Sequence, residues 1–484
     1  MAERYDVLIV GGGVIGSAIA RELCRYQLKI AVLEKGLDVC CESSAHNSGV
    51  LHAGYNNKPG SKMAKFCVAG NCGFDKITQE LDIPFKRTGK LVVGFDENDL
   101  EQLQKLKKQG EINGCPGLEI VGKEKIKYLA PFIAGEFALY SPLTGIVDPF
   151  QLTIGLAENA FFNGVKYYLD HEVTAINRLP DSYQVITNHG LFEGRWLINC
   201  AGLFADKIAS MLGIDDYQIY PCRGEYFVLD TRLGHMLPLP VYPVPNIKTG
   251  GLGIHLTPTL DGNIMIGPSA DYIDERDNYA VTKPVLDILI RDGNRIFPYL
   301  KKEDFIRNFA GIRPKLTSKD QGGYHDFVID TRPELPNAIN LVGIESPGLT
   351  SAMPIAQEVV RLIQNREDLR PKANFNPIRK RPVCFRDLPY EERAALIEKD
   401  PDYGEIICRC ETITKAEVLA AIRNPLGVCT MIGIKYRCRA MMGRCQSGYC
   451  QTRIAELLMK ERGIPATGLR HSRTGSYMFT GRVR

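Results

Sequence analysis

The stretch "YDVLIVGGGVIGSAIARELCRYQLKIAVLEK", Tyr5 to Lys35, decides the fold class. A short β-branched apolar run ends on three glycines, apolar residues then recur at helical spacing, and Lys29 to Lys35 returns to a strand. This is a βαβ unit. Its turn fits G-x-G-x-x-G at Gly11, Gly13 and Gly16. Glycines there allow the tight turn, the approach of backbone to a pyrophosphate and close helix packing, while the helix N-terminus favours the anion. Glu34 ends the second strand about 20 residues on, where a carboxylate receives ribose hydroxyls, and Lys35 follows it in the expected cofactor-binding set. The competing reading, a glycine turn without ligand, is disfavoured because strand, helix and acid occur together.

Outward from this unit, strand-like runs at "GKLVVGF", "YQVIT", "WLINCAG", "GEYFVLD" and "NAINLVGI" alternate with helix-like runs at "FQLTIGLAENAFFNG" and "IAQEVVRLIQN". The pattern predicts an α/β core with an inserted antiparallel sheet. We expect a first domain over 1–372, with a substrate subdomain near 86–150 and 221–310. A Pro-, Arg- and acid-rich linker over 373–404 then crosses its surface, and a small cysteine-bearing unit occupies 405–484.

With 484 residues, several domains are expected. A hydrophobic content of 44%, 24% charged residues and a net charge of +4 describe a globular protein and argue for neither nucleic acid nor a membrane surface. Glycines and the early Arg21 and Glu22 interrupt the N-terminal apolar stretch, so neither a signal peptide nor a membrane span is expected. The fifteen cysteines are then expected to be free or metal-bound in a reducing cytoplasm.

The segments "HNSGVLHAG", "IPFKRTGKLVV", "CRGEYF", "PVYPVPN", "LGIHLTPTLDGNIMIGP", "FAGIRPKL" and "SPGLTSAMPIAQ" resemble the D-amino-acid-oxidase-like family of FAD enzymes. Within it they are similar to the branch of glycerol-3-phosphate dehydrogenases and L-2-hydroxyglutarate oxidases. The resemblance implies an FAD-binding Rossmann-like domain in which Ser43, Ser44, Asn47, Ser48 and Gly49 line the flavin and Val173 meets its adenine end. It further implies that Ala201 and Gly202 lie near the pyrophosphate, and that Gly348, Leu349 and Thr350 lie by the isoalloxazine.

Removing hydride from an alcohol carbon requires a base for the hydroxyl proton and a clamp for the substrate's acidic end. Histidine and arginine are the usual choices. His52 and His255 lie in the family-like segments and are the candidate bases; which of them acts is left open. Arg313 of "AGIRPKL" matches the family's substrate clamp, with Arg223 and Lys315 as possible second cations. His46 is expected to pack beside the flavin, and the remaining histidines have no supporting context.

Near the C-terminus, Cys408 and Cys410 precede a helix opened by Thr414 and Glu417, a capping-box pattern, and Cys445 and Cys450 precede "TRIAELLMKERG", stopped by Gly463. Four thiolates hold zinc or a [2Fe-2S] cluster, and C-x-C with C-x4-C departs from the usual zinc spacing. "ICRCETIT" and "PLGVCTMIGIKYRCRAMMGRCQSGYC" resemble the bacterioferritin-associated-ferredoxin-like domain of anaerobic glycerol-3-phosphate dehydrogenase catalytic subunits, which implies Cys408, Cys410, Cys445 and Cys450 as ligands of a small helical iron-sulfur domain. Cys429 and Cys438 are extra thiols between the pairs.

The leading expectation is therefore an FAD- and [2Fe-2S]-dependent dehydrogenase that oxidises sn-glycerol 3-phosphate. It would pass electrons to a partner subunit, a second flavoprotein or a quinone-linked protein, docked by the terminal "GLRHSRTGSYMFTGRVR" with four arginines and no acids. The alternative substrate is L-2-hydroxyglutarate or another 2-hydroxy acid. An amine oxidase and a redox sensor are the remaining readings.

Overall fold

The structure is a computed structural model that describes residues 3–245 and 253–481. Asn246 of "PVYPVPN", Leu252 of "LGIHLTPTLDGNIMIGP" and the last two arginines of the tail lie outside the described residues.

β1 (Glu3–Val10), α1 (Val14–Leu23) and β2 (Ile30–Leu33) form the expected βαβ unit. β1 pairs in parallel with β2 and with the strand Gly190–Asn199, in the register Val7↔Ile30 and Val7↔Trp196. Val7, Leu8 and Ile9 are fully buried because helices and loops cover both faces of a parallel sheet, which is why this run is continuously apolar rather than alternating. Strands Lys166–Tyr168, Tyr183–Thr187, Val173–Arg178, Ala338–Val342 and Val328–Asp330 complete an eight-stranded sheet. Helix Gly348–Gln364 packs on α1 and buries Ile355, Val359 and Ile363.

The second sheet has nine strands and is built on a long antiparallel pair, Tyr220–Leu229 with Phe305–Lys315, in the register Cys222↔Arg313. The second strand of this pair therefore carries the sheet beyond residue 310. Leu91–Gly94 joins from far upstream, parallel to Val241–Pro243. Leu229, Leu256, Ile264 and Ile266 fill the core beneath helix Lys283–Ile296.

Residues 373–404 were expected as a linker without sustained structure, but they contain the helix Tyr390–Lys399. Arg379 is buried and pairs with Glu158 at 2.7 Å, which pins the segment against helix Pro149–Phe162. The C-terminal unit comprises the short pair Ile406–Cys408 and Ile413–Thr414 and helices Lys415–Ile422, Met431–Cys438 and Gln451–Arg462 around Val418, Ile434, Ile454 and Leu458. Thr414 and Glu417 make the capping box, and Gly463 closes the last helix in the left-handed conformation. The described part of the tail folds back: Leu469 is buried, and Met431 N and Ile432 N donate to Arg470 O and His471 O.

The unit docks through a buried ion pair, Arg437 Nη1 to Asp38 Oδ2 at 2.5 Å, and a Phe150–Tyr436 stack at 4.1 Å. Gln151 Nε2 donates to Tyr436 O and Arg437 O, at 3.0 Å each. Among the described residues, no helix is long and apolar enough to cross a membrane.

Candidate active site and iron-sulfur centre

A cavity of about 630 Å³ runs from the glycine turn to the face of the second sheet. A Cβ on Gly11, at φ +111°, would lie 2.5 Å from the Cys200 carbonyl oxygen, and one on Gly16 would overlap the Gly11 carbonyl. Gly16 thus packs the helix onto the turn and does not itself border the cavity, which Gly11 and Gly13 do. Gly13 caps α1 without a side-chain hydrogen bond; Val14 N donates to Ser44 Oγ at 2.9 Å, and the next N–H groups of the first turn are left to an anion. Glu34 accepts from Gly12 N and Gly36 N at 2.6 Å each; burial raises its pKa against those two bonds. Its remaining lone pairs border the cavity, as ribose hydroxyls require.

Lys35, Val173, Ala201 and Gly202 line this end. Ser43, Ser44, Asn47, Ser48 and Gly49 form one wall, shaped from within: Asn47 Nδ2 donates to Ser43 O and Ser44 O, its Oδ1 accepts from Gly49 N, and Ser43 Oγ donates to Ile312 O. Gly348 and Leu349 line the cavity at the start of their helix. Thr350 does not. It is buried, and its Oγ1 accepts from His52 N at 3.0 Å, so it positions a histidine instead of meeting a cofactor. The donors, the open helix end and the glycine contacts together fit a dinucleotide.

At the far end stand His52, His255 and Arg313. His255 is 2% exposed, its Nδ1 lies 2.9 Å from Gly253 O, and its Nε2 has no partner among the described residues. The Gly253 carbonyl accepts only if Nδ1 bears the proton, which leaves Nε2 with a lone pair. Burial, then the charges of Lys90 and Arg313, push His255 down to about 3. His52 is also held well below the usual histidine range by burial and by Lys90, and its Nε2 is 3.4 Å from Ser346 Oγ. Arg313 Nη2 donates to Ser269 O at 2.8 Å and to Cys222 Sγ at 3.6 Å, while its Nε has no partner among the described residues.

Arg223 and Lys315 are not brought into the site. Arg223 sits one residue out of phase with Cys222, Gly224 and Tyr226, so the strand turns it to the other face, where it pairs with Glu225 at 3.2 Å. Lys315 shares the phase of Arg313, but its ammonium is buried 3.2 Å from Glu345. Glu345 borders the cavity and was not anticipated, and neither was Tyr242, whose ring stacks on His255 at 3.7 Å. Tyr242 lies within the family-like "PVYPVPN". Lys90, buried 4.1 Å above the Tyr242 ring, is the lone charge in "TGKLVVG", a signal that could have drawn notice.

In the C-terminal unit, Cys408 neighbours Cys450 and Cys410 neighbours Cys445. The Cys450 thiol and the backbone N–H groups of Met441 and Glu411 hold Cys408 down to about 6. Among the described residues no three Cys, His, Asp or Glu side chains surround a single ion, and two adjacent thiol pairs are the donor set of a two-iron cluster. Thr412, Arg439, Met441, Gln446 and Ser447 all have positive φ, and a Cβ on Gly443 would overlap Cys410. Backbone held in this costly region at five non-glycine positions marks loops shaped for a ligand.

A family model for FAD dependent oxidoreductases (DAO) matches residues 6–362, and one for the BFD-like [2Fe-2S] binding domain matches residues 406–460. The chain belongs to the FAD-dependent oxidoreductase family. This oxidoreductase takes FAD and carries a [2Fe-2S]-binding domain. It is 40% identical over 480 residues to a glycerol 3-phosphate dehydrogenase of Caloramator mitchellensis, covering 99% of this chain and 98% of that protein. It is 33% identical to the mitochondrial L-2-hydroxyglutarate dehydrogenase of Caenorhabditis elegans, over 75% of this chain and 94% of that one. The FAD-bound L-alpha-glycerophosphate oxidase from Mycoplasma pneumoniae superposes with a TM-score of 0.73 at 32% identity, over 79% of this chain and all of that one.

Proposed function

We propose that the oxidoreductase is a dehydrogenase converting sn-glycerol 3-phosphate to dihydroxyacetone phosphate and delivering electrons to a protein acceptor. When bound, FAD supplies a two-electron hydride acceptor and the [2Fe-2S] cluster a one-electron carrier. The observation that carries the reading is the pairing in one cavity of an unpartnered imidazole nitrogen, His255 Nε2, with an arginine whose Nε–H is free. His255 Nε2 accepts the C2 hydroxyl proton and Arg313 holds the anionic end with its charge and its free N–H groups. His255 is assigned ahead of His52 because His52 Nε2 already faces Ser346 Oγ. The choice of substrate draws support from the Caloramator relative, which is similar across both units, whereas the hydroxyglutarate relatives match about three quarters of the chain.

Cys408, Cys410, Cys445 and Cys450 would hold the cluster, and Gly11, Gly13, Glu34 and the wall Ser43 to Gly49 the FAD. A second reading, oxidation of L-2-hydroxyglutarate, draws support from the hydroxyglutarate relatives, which are 33% identical over the flavin unit in the Caenorhabditis elegans protein. Anaerobic addition of each substrate to the flavin-loaded protein decides. Bleaching by glycerol 3-phosphate alone supports the first reading, and bleaching by the hydroxy acid alone replaces it with the second.

A further inference from the structure

A second cavity, of about 550 Å³, lies between the two units and shares His46, Asn47, Ser48 and Gly49 as a common wall with the flavin cavity. Its opposite wall is Lys435 to Arg439, with Met442 and Gln446 from the second cysteine loop. It is nearly as large as the site that takes a dinucleotide, and well within the range of small-molecule sites.

The cations around it divide into two groups. Arg379 is paired with Glu158, Arg386 and Arg439 with Asp261 and Glu411, and Arg437 with Asp38. Arg381 faces Asp82 at 3.7 Å; among the described residues Arg307, Lys435 and the exposed Lys86 have no carboxylate. Arg307, on strand Phe305–Lys315, makes one hydrogen bond, to Gln446 Oε1 at 3.2 Å. Lys435, on helix Met431–Cys438, is 6% exposed, with no side-chain hydrogen bond among the described residues. The two are close enough that Arg307 adds to burial in pushing Lys435 down, to about 7.

The buried Lys435 ammonium on one unit and the exposed Arg307 on the other are thus brought together by docking with no acid between them, and burial makes the Lys435 charge costly to hold. The nearby acids cannot offset it. Asp148 Oδ1 accepts Phe150 N and Gln151 N, and Glu417 is spent on its capping box and on Phe385 N; Asp387 is half-exposed and lies 3.6 Å from Arg386.

We propose that this inter-domain cavity binds a phosphate-bearing small molecule of nucleotide size, its phosphate between Arg307 and Lys435 and its body against Phe85, Val147, Pro258, Met265 and Phe309. The site exists only when the units are docked, and it is distinct from the substrate end of the flavin cavity. Its occupant touches both the flavin-side wall and the cysteine-loop side, so occupancy couples the two.

The test is calorimetric titration of the FAD- and cluster-loaded full chain with ADP in phosphate-free buffer, with flavin in the filtrate monitored. One ADP is expected to bind without releasing FAD. Arg307→Met and Lys435→Met should each weaken binding by tenfold or more, and Arg307→Lys by less, since charge is kept and the fork lost. Lys435→Met should melt no lower than the parent, because it removes an unpaired buried charge. Absence of ADP binding at millimolar concentration, affinity unchanged in both methionine variants, release of FAD by ADP, or pyrophosphate binding as tightly as ADP would each overturn the proposal.

Discussion

Arg313→Ala tests the core of the proposed chemistry, and its effect can be worked from the hydrogen bonds Arg313 makes. One of its donors is committed to Ser269 O, while Nε and Nη1 make no protein hydrogen bond among the described residues. Those two groups, on opposite edges of the guanidinium, are the donors available to a substrate anion. Charge-assisted bonds are worth about 1.5–3 kcal/mol each, so losing two at the low end costs about 3 kcal/mol. At 1.36 kcal/mol per factor of ten, kcat/KM falls by roughly 10²-fold.

Because both bonds form to the part of the substrate that does not react, the loss should appear chiefly in KM. Flavin content should hold, since Arg313 contacts Ser269 and Cys222 and not the glycine turn. Arg313→Lys should fall between, keeping charge without the guanidinium donors. The assay is anaerobic stopped-flow flavin reduction over a substrate series. A KM within about threefold of the parent in the alanine variant, with flavin bound, would refute the clamp.

His255→Asn should lower the rate of flavin reduction by about 10²- to 10⁴-fold, the usual worth of a general base, whereas His52→Asn should cost much less; the reverse order in stopped-flow would transfer the role. Since His255 has its pKa lowered to about 3, the neutral base is present above that value and lost only as pH falls through it. The kcat/KM profile should therefore show no acid limb near the ordinary histidine value of about 6.5, and Arg313→Ala should move the limb upward because a nearby positive charge has gone. Cys445→Ser should abolish the cluster's visible absorption while substrate still bleaches the flavin; failure of bleaching would show that the two units depend on each other for the first step. Asp38→Ala strands Arg437 without its partner in a buried interface, a loss of about 3–5 kcal/mol. Limited proteolysis should then cut within 373–404 much faster than in the parent, and unchanged cleavage would mean that the ion pair does not hold the docking.

What could be read from the chain was set by how local the physics is. The βαβ unit announces itself because turn, helix packing and acid lie within about 30 residues, and Gly11 and Gly16 are fixed by atoms that this same unit and its neighbouring strand supply. The cysteine-bearing unit was legible because its thiols cluster in two short loops. Arg223 and Lys315 were misplaced for different reasons. Strand phase excludes Arg223, and the phase follows from the register Cys222↔Arg313, which joins positions 91 residues apart. Lys315 has the right phase and is removed by Glu345, an acid delivered by the loop before helix Gly348–Gln364. Thr350 was placed by the right helix, but its hydroxyl is taken by His52 N across the cavity wall. Tyr242 acquires meaning only when the second sheet sets it against His255.

These cases share a cause: a cation's chemistry depends less on where it stands than on whether an acid reaches it first. Lys315, Arg223, Arg379 and Arg437 are all buried and all answered, by Glu345, Glu225, Glu158 and Asp38, and the partner comes from the same strand for Arg223, from a helix for Arg379 and from a loop for the other two. Arg313 is left with a free N–H in the flavin cavity, and Arg307 and Lys435 are left without an acid in the cavity behind it. Folding free energy alone would favour replacing such residues by apolar ones of similar volume. A chain that pairs so many of its buried cations and leaves Arg313 and Lys435 unanswered, each beside a cavity, places positive charge where an anion is to be received: the substrate in front of the wall Ser43 to Gly49, and the phosphate-bearing ligand behind it.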